Sequence, residues 1–247
     1  MAEKIVRTLQ APPEAHVVEV GAGTGELTGL LTERYSHLTA IEIDERAVEV
    51  LRRTLPDVDV RTEDVLETEW ASLAGEGEGP LYVISNTPYY LTSELIFALL
   101  EHRSLIAEAV LTMQKAVAER LVAEPRTKAY GILSVLLQLF TSPSLEYSVP
   151  PQVFSPQPDV SSAVVRILFG PEHGPADLEL DDVRPYVRAA FNQRRKMLRN
   201  SLSAWTDQPG AELPEEWGRK RAEALSPDDF ARLARFLSER TDAPHGQ

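Results

Sequence analysis

Apolar residues in this chain follow two rhythms. Over the first two-thirds, short apolar runs of strand length alternate with stretches at helical spacing, a pattern that predicts βαβ units and a parallel sheet. Strands are expected at 16–20, 38–43, 58–61, 81–85 and 108–112. Helices are expected at 26–35, with Leu27, Leu30 and Leu31 on one side, at 45–55 ahead of Pro56, at 92–100 and at 132–140. The acidic, glycine-rich stretch 75–80 reads as a surface loop. Two further strands, 145–149 and 162–169, flank a proline-rich turn at 150–158 and predict an antiparallel pair added to the sheet edge. After a linker at 170–175 the pattern becomes helical throughout: 183–191, 195–205, 215–224 and 227–239, with a polar, frayed tail from Thr241. The expected architecture is an α/β domain over 1–172 and a small helical domain over 176–247.

Composition narrows the class. Hydrophobic residues at 43% and charged residues at 26% are ordinary for a globular protein, and no apolar run approaches the roughly 20 residues that span a bilayer. The first residues lack a signal peptide's apolar core, and there is no cysteine, so disulfides and cysteine nucleophiles are excluded. A cytoplasmic, monomeric protein without membrane contact is expected. His16, His37, His102, His173 and His245 show no metal-ligand spacing, so no metal is expected. The net charge of −13 argues against a general polyanion binder, and any RNA site must be a local basic patch.

The first strand runs into Gly21-Ala22-Gly23-Thr24-Gly25. Glycines at a strand-to-helix turn let backbone approach a ligand. The sixth position of a dinucleotide fingerprint is here Glu26, which opposes a pyrophosphate and suits a cofactor that is cationic and phosphate-free. S-adenosylmethionine fits that description. Glu42, ending the second strand, is placed to accept ribose hydroxyls, and Asp64, after the third, to accept the cofactor's adenine amine. Gly21, Gly23, Glu42 and Asp64 are the expected cofactor contacts.

The fourth strand ends Asn86-Thr87-Pro88-Tyr89. An exocyclic adenine amine is a poor nucleophile because its lone pair is delocalised into the ring. Two acceptors aimed at its hydrogens free that lone pair: the Asn86 side-chain carbonyl and, on this reading, the Pro88 main-chain carbonyl. Tyr89 offers a stacking face. These residues resemble the Asn-Leu-Pro-Tyr motif of adenine-N6 dimethyltransferases acting on ribosomal RNA. The stretch from Val149 through Phe154 and Asp159 to Val165 is similar to that family's proline-rich signature, and Phe191 to Leu202 to the start of its helical domain. The resemblance covers nearly the whole chain and implies a class I methyltransferase fold: Rossmann-like, with a mostly parallel seven-stranded sheet and a small C-terminal helical domain. It implies methyl transfer from S-adenosylmethionine to two adjacent adenines near the 3′ end of 16S rRNA during small-subunit maturation. It also implies that Asn86 contacts the cofactor as well as the target base, and that Phe154 is a second aromatic wall against Tyr89 for a flipped adenine. Three departures stand out. Thr87 replaces a leucine, and Asp159 replaces a common lysine. The Gln-x-Phe-Leu segment that members carry ahead of the glycine loop has no counterpart after Met1, so either the sequence starts late or the cofactor is held more loosely.

Between Arg184 and Arg199 lie six basic residues and no acidic one. Arg194, Arg195, Lys196 and Arg199 are expected on one helical flank as a phosphate-binding ridge for 16S rRNA. Two alternatives remain: a large-subunit adenine methylase, or a ribosome-assembly factor with weak or lost catalysis. A nicotinamide dehydrogenase is disfavoured by Glu26.

Overall fold

Val17, Val18 and Val20 make the first strand a β-branched run, and its five residues are all buried, as befits a central strand covered on both faces. The computed structural model describes residues 1–154, 157–207, 210 and 212–240; the expected tail from Thr241 lies outside them. In chain order the first elements are α1 (Ala2–Thr8), β1 (His16–Val20), α2 (Glu26–Thr32), β2 (His37–Glu42), α3 (Glu45–Thr54) and β3 (Asp59–Thr62). Next come α4 (Trp70–Gly75), β4 (Leu81–Asn86), α5 (Thr92–Glu101), β5 (Ile106–Gln114), α6 (Lys115–Leu121), α7 (Ile132–Phe140), β6 (Ser142–Val149) and β7 (Ser162–Leu168). Five helices follow: α8 (Leu180–Asn192), α9 (Leu198–Ser201), α10 (Ser203–Thr206), α11 (Glu215–Gly218) and α12 (Pro227–Ser238).

The sheet has seven strands in the order β3-β2-β1-β4-β5-β7-β6. The first five strands pair in parallel, whereas β7 runs antiparallel to both β5 and β6. Strand order therefore reverses between β1 and β4, and the crevice at their carboxyl ends is where open α/β sheets bind ligands. With its flanking helices, this is the class I methyltransferase fold.

The chain forms two compact units. The larger contains Met1–Ala118 and Thr141–Glu172; the smaller contains Glu119–Phe140 and everything from His173 onward. The larger unit ends at Glu172, and 119–140 groups with the carboxy-terminal helices rather than with the sheet. The reason is local. The Tyr130 hydroxyl donates to the Leu225 carbonyl at 2.9 Å, and its ring meets Phe191, which stacks on Phe230.

The predicted helix over 195–205 is broken. Met197 bridges to Arg221 and the Leu198 N–H donates to the Lys220 carbonyl at 2.8 Å, so a turn replaces the helix until α9. The helix expected at 215–224 likewise shortens to α11 and a 3₁₀ turn.

Candidate active site

β1 and α2 are joined by the glycine loop. Gly21, Gly23 and Gly25 all have positive φ, and a Cβ at Gly25 would stand 3.0 Å from Leu51 of α3. A side chain at Gly25 is thus excluded by backbone strain and by close packing together. Glu42, at the end of β2, fixes the loop from the other side. Its Oε2 accepts the Gly23 N–H at 2.8 Å, and its Oε1 accepts the N–H groups of Ile43 and Asp44 at 2.8 and 2.9 Å. A carboxylate offers about four acceptor sites, so about one remains for a sugar hydroxyl rather than the pair expected. Asp64 Oδ1 accepts the Leu66 N–H at 2.9 Å, and no described residue engages its Oδ2.

A cleft of about 200 Å³ opens over this loop. Gly21, Gly23 and Glu26 line it, together with Glu19, Asn86 and Phe154. Sequence reasoning had placed Gly21, Gly23, Asn86 and Phe154 in one site, and the fold brings them together there. Asn86 is exposed at the end of β4, beside Thr112 of β5 in register. The Pro88 ring lies 3.7 Å from where a Cβ on Gly21 would stand, so the turn after β4 closes on the glycine loop.

Tyr89 is half-buried and its hydroxyl shares a 2.7 Å hydrogen bond with Ser162 Oγ at the start of β7. Phe154 packs on the core cluster that holds Ile5, Leu27 and Val164. The Pro88 carbonyl departs from expectation. It accepts the Leu91 N–H at 2.9 Å and the Thr92 hydroxyl at 3.4 Å, which occupies both lone pairs at the start of α5. The Thr87 N–H donates to the Thr112 carbonyl at 3.1 Å, while no described residue donates to the carbonyl of Thr87 itself. The Thr87 hydroxyl is buried without a partner, which is where the change from leucine leaves its mark.

One cleft residue and two exposed neighbours of the expected cofactor carboxylates escaped the sequence reading. Glu19, next to last in β1, is 1% exposed, and among the described residues its Oε2 has no hydrogen-bond partner. Burial pushes its carboxyl up to about 8; the nearby Glu42 adds to the rise and the Thr28 hydroxyl opposes it. A carboxylate inside an otherwise apolar strand was the available signal. Ile43 and Leu66 are the others: large apolar side chains, 60% and 44% exposed, placed one and two residues after Glu42 and Asp64. These surroundings fit S-adenosylmethionine on chemical grounds. Glu26 on the cleft wall supplies negative charge for a cation, Glu19 ionises when a cation lies beside it, and the open space beside Gly23 admits a ligand against the backbone.

The basic residues occupy the smaller unit. Arg194 departs from its expected role, since its guanidinium is committed internally. Nε donates to Glu223 at 2.9 Å, and its two terminal nitrogens donate to the Lys128 and Thr127 carbonyls at 3.1 and 2.9 Å. Arg195, Lys196 and Arg199 are exposed and make no ion pair among the described residues. They sit on the turn after α8 and on α9 rather than on one helical flank. The Met197–Arg221 bridge brings Lys220 and exposed Arg221 alongside, extending the basic patch across a second segment.

Residues 1–239 match the model of the ribosomal RNA adenine dimethylase family. The chain is 72% identical over 242 residues to ribosomal RNA small subunit methyltransferase A of Salinibacter ruber, covering 98% of this chain and 82% of that protein. It is 42% identical to the protein of the same name from Prosthecochloris aestuarii, covering 93% and 86%. Among solved structures, a dimethyladenosine transferase from Plasmodium falciparum superposes with a TM-score of 0.80 at 25% identity, covering 96% and 95% of the two chains. The 23S rRNA methyltransferase ErmE superposes at 0.68 with 26% identity, covering 96% of each.

Proposed function

Because this chain belongs to the ribosomal RNA adenine dimethylase family, we propose that it methylates N6 of two adjacent adenines near the 3′ end of 16S rRNA, using S-adenosylmethionine. The observation that carries the reading is the placement of Asn86 in one cleft with the glycine loop and Phe154. The 72% identity to a small-subunit enzyme favours small-subunit RNA over the large-subunit alternative.

When bound, S-adenosylmethionine supplies an electrophilic methyl group on a positively charged sulfur. The protein's part is positioning and electrostatics. Glu42 holds the glycine loop and offers its remaining acceptor site to a ribose hydroxyl. Asp64 Oδ2 accepts from the cofactor's adenine amine, and Ile43 and Leu66 give that ring apolar contact. Glu19 and Glu26 balance the cationic end. On the substrate side, Tyr89 and Phe154 stack against a flipped adenine. The Asn86 side-chain oxygen accepts one amine hydrogen. The second acceptor is the Thr87 carbonyl, because the Pro88 carbonyl is occupied at the start of α5. Together they draw the nitrogen toward tetrahedral geometry and expose its lone pair to the methyl group. No strong general base is required, since the alkylated amine loses its proton readily. Arg195, Lys196, Arg199, Lys220 and Arg221 contact RNA phosphates, while Arg194 holds the smaller unit in shape.

Mass spectrometry of 16S rRNA nucleosides from cells with and without the protein tests the reading. N6,N6-dimethyladenosine should vanish with the protein. Its persistence, or its loss from large-subunit RNA instead, would overturn the assignment.

A further inference from the structure

Large apolar side chains exposed among the described residues are few: Met1, Ile43, Leu66, Tyr90, Val153, Val160 and Met197. All but Met197 lie in the larger unit, around the carboxyl end of the parallel strands. Scattered exposed hydrophobes need no explanation, but a concentration at one edge does. Met1 lines the cleft, and Ile43 and Leu66 follow the two cofactor carboxylates. Tyr90, Val153 and Val160 remain, on the side of the site away from β2 and β3, with no use in the cofactor chemistry.

Tyr90 is 79% exposed. The Thr87 N–H on Thr112 fastens the chain before it, and the Leu91 N–H on Pro88 closes the turn that contains it. Tyr89 is half-buried and tied to Ser162, whereas Tyr90 next to it is exposed. The same hydrogen bond holds this turn to the loop preceding β7. That loop carries Val160 two residues from Ser162, and Val153 on the cleft wall beside Phe154. Tyr90 is thus an exposed aromatic on a hydrogen-bonded turn, its Cα about 3.8 Å from that of the tyrosine assigned to the target base.

We propose that Tyr90 is a stacking seat for the nucleobase adjacent to the adenine being methylated. The proposal rests on the functional reading above and extends it: the site holds an unpaired dinucleotide rather than one flipped base. Drawing a base out of its stack uncovers a face of its neighbour, and an aromatic ring at the mouth covers that face again. Stacking is tolerant of base identity, so Tyr90 favours an unpaired, unstacked neighbour rather than a sequence. It also lets the enzyme move between two adjacent adenines by exchanging which occupies the cleft and which the outer seat.

The test uses small subunits assembled with ligated 16S rRNA in which the nucleotide beside the target is either intact or abasic. Methyl transfer by the native protein, Tyr90→Ala and Tyr90→Phe is compared, with cofactor affinity measured by calorimetry. Tyr90→Ala should raise KM for intact subunits about tenfold, leave cofactor affinity unchanged, and be rescued by Tyr90→Phe. The abasic substrate should cost the native protein a similar factor and Tyr90→Ala nothing more. Costs that multiply independently in the double comparison, or failure of Tyr90→Phe to rescue, would overturn the stacking seat while leaving the methyltransferase reading intact. Absence of transfer by the native protein to intact subunits would instead overturn that underlying reading, and the seat with it.

Discussion

Asn86 stands at the position where the account concentrates its chemistry. Because it is exposed, Asn86→Ala should fold normally. Losing one preorganised hydrogen-bonding group at a reacting centre costs on the order of 10²-fold in kcat, and single-turnover kinetics should show a loss of at least that size. Glu19 makes a different demand. Its folded pKa of about 8 lies above the ordinary carboxylate value of 4.5, so the cofactor-free fold favours the protonated form. Across that interval the folded state binds more protons than the unfolded one, and the contribution to stability is lost as pH rises through 8. Glu19→Gln should therefore melt with the native protein near pH 4.5 and above it at pH 8.5. A cationic cofactor favours the ionised carboxylate, so binding near pH 7 should release up to about one proton. Calorimetry in buffers of different ionisation enthalpy reads that directly; heats independent of buffer would remove Glu19 from the site. Asn86 was legible because its neighbours form a recognisable motif. The carbonyl that works beside it was not, since the hydrogen bonds that occupy Pro88 come from Leu91 and Thr92, downstream of the motif.

At the scale of elements, strands and their order of appearance were readable from apolar runs, and the helices that lean on the sheet from their periodicity. What failed was the stretch from Gln193 to Arg221. Its basic spacing looks helical, but the cross-connection of Met197 and Leu198 to Lys220 and Arg221 competes for the backbone and wins. Such a contact between residues more than twenty positions apart leaves no local trace. Two consequences separate structural from RNA-facing arginines. Arg194→Ala removes donors from two backbone carbonyls and from Glu223, and should destabilise the protein by about 1–3 kcal/mol in denaturant unfolding. Reversing Arg195 and Lys196 to glutamate should leave the melting point within a degree or so. It should weaken subunit binding and lower the slope of log affinity against log salt by about 2. An unchanged slope would place the RNA contact elsewhere.

For the whole molecule, the net charge of −13 confines any expected RNA contact to a patch, but it carries no information on which segments would assemble it. The division into units shows the same limit. Residues 119–140 interrupt the sheet domain in sequence yet join the carboxy-terminal helices, through Tyr130 and the Arg194 clamp. Their apolar spacing announced a buried helix without saying against what. The central claim, that one cleft carries a methyl group to an adenine amine of the small subunit, is most directly tested with purified protein, labelled S-adenosylmethionine and unmethylated ribosomal subunits. Label should enter 16S rRNA of small subunits, be recovered as N6,N6-dimethyladenosine from two adjacent positions, and be abolished by Asn86→Ala. Binding of the small subunit without any transfer, or label found in large-subunit RNA, would contradict the account.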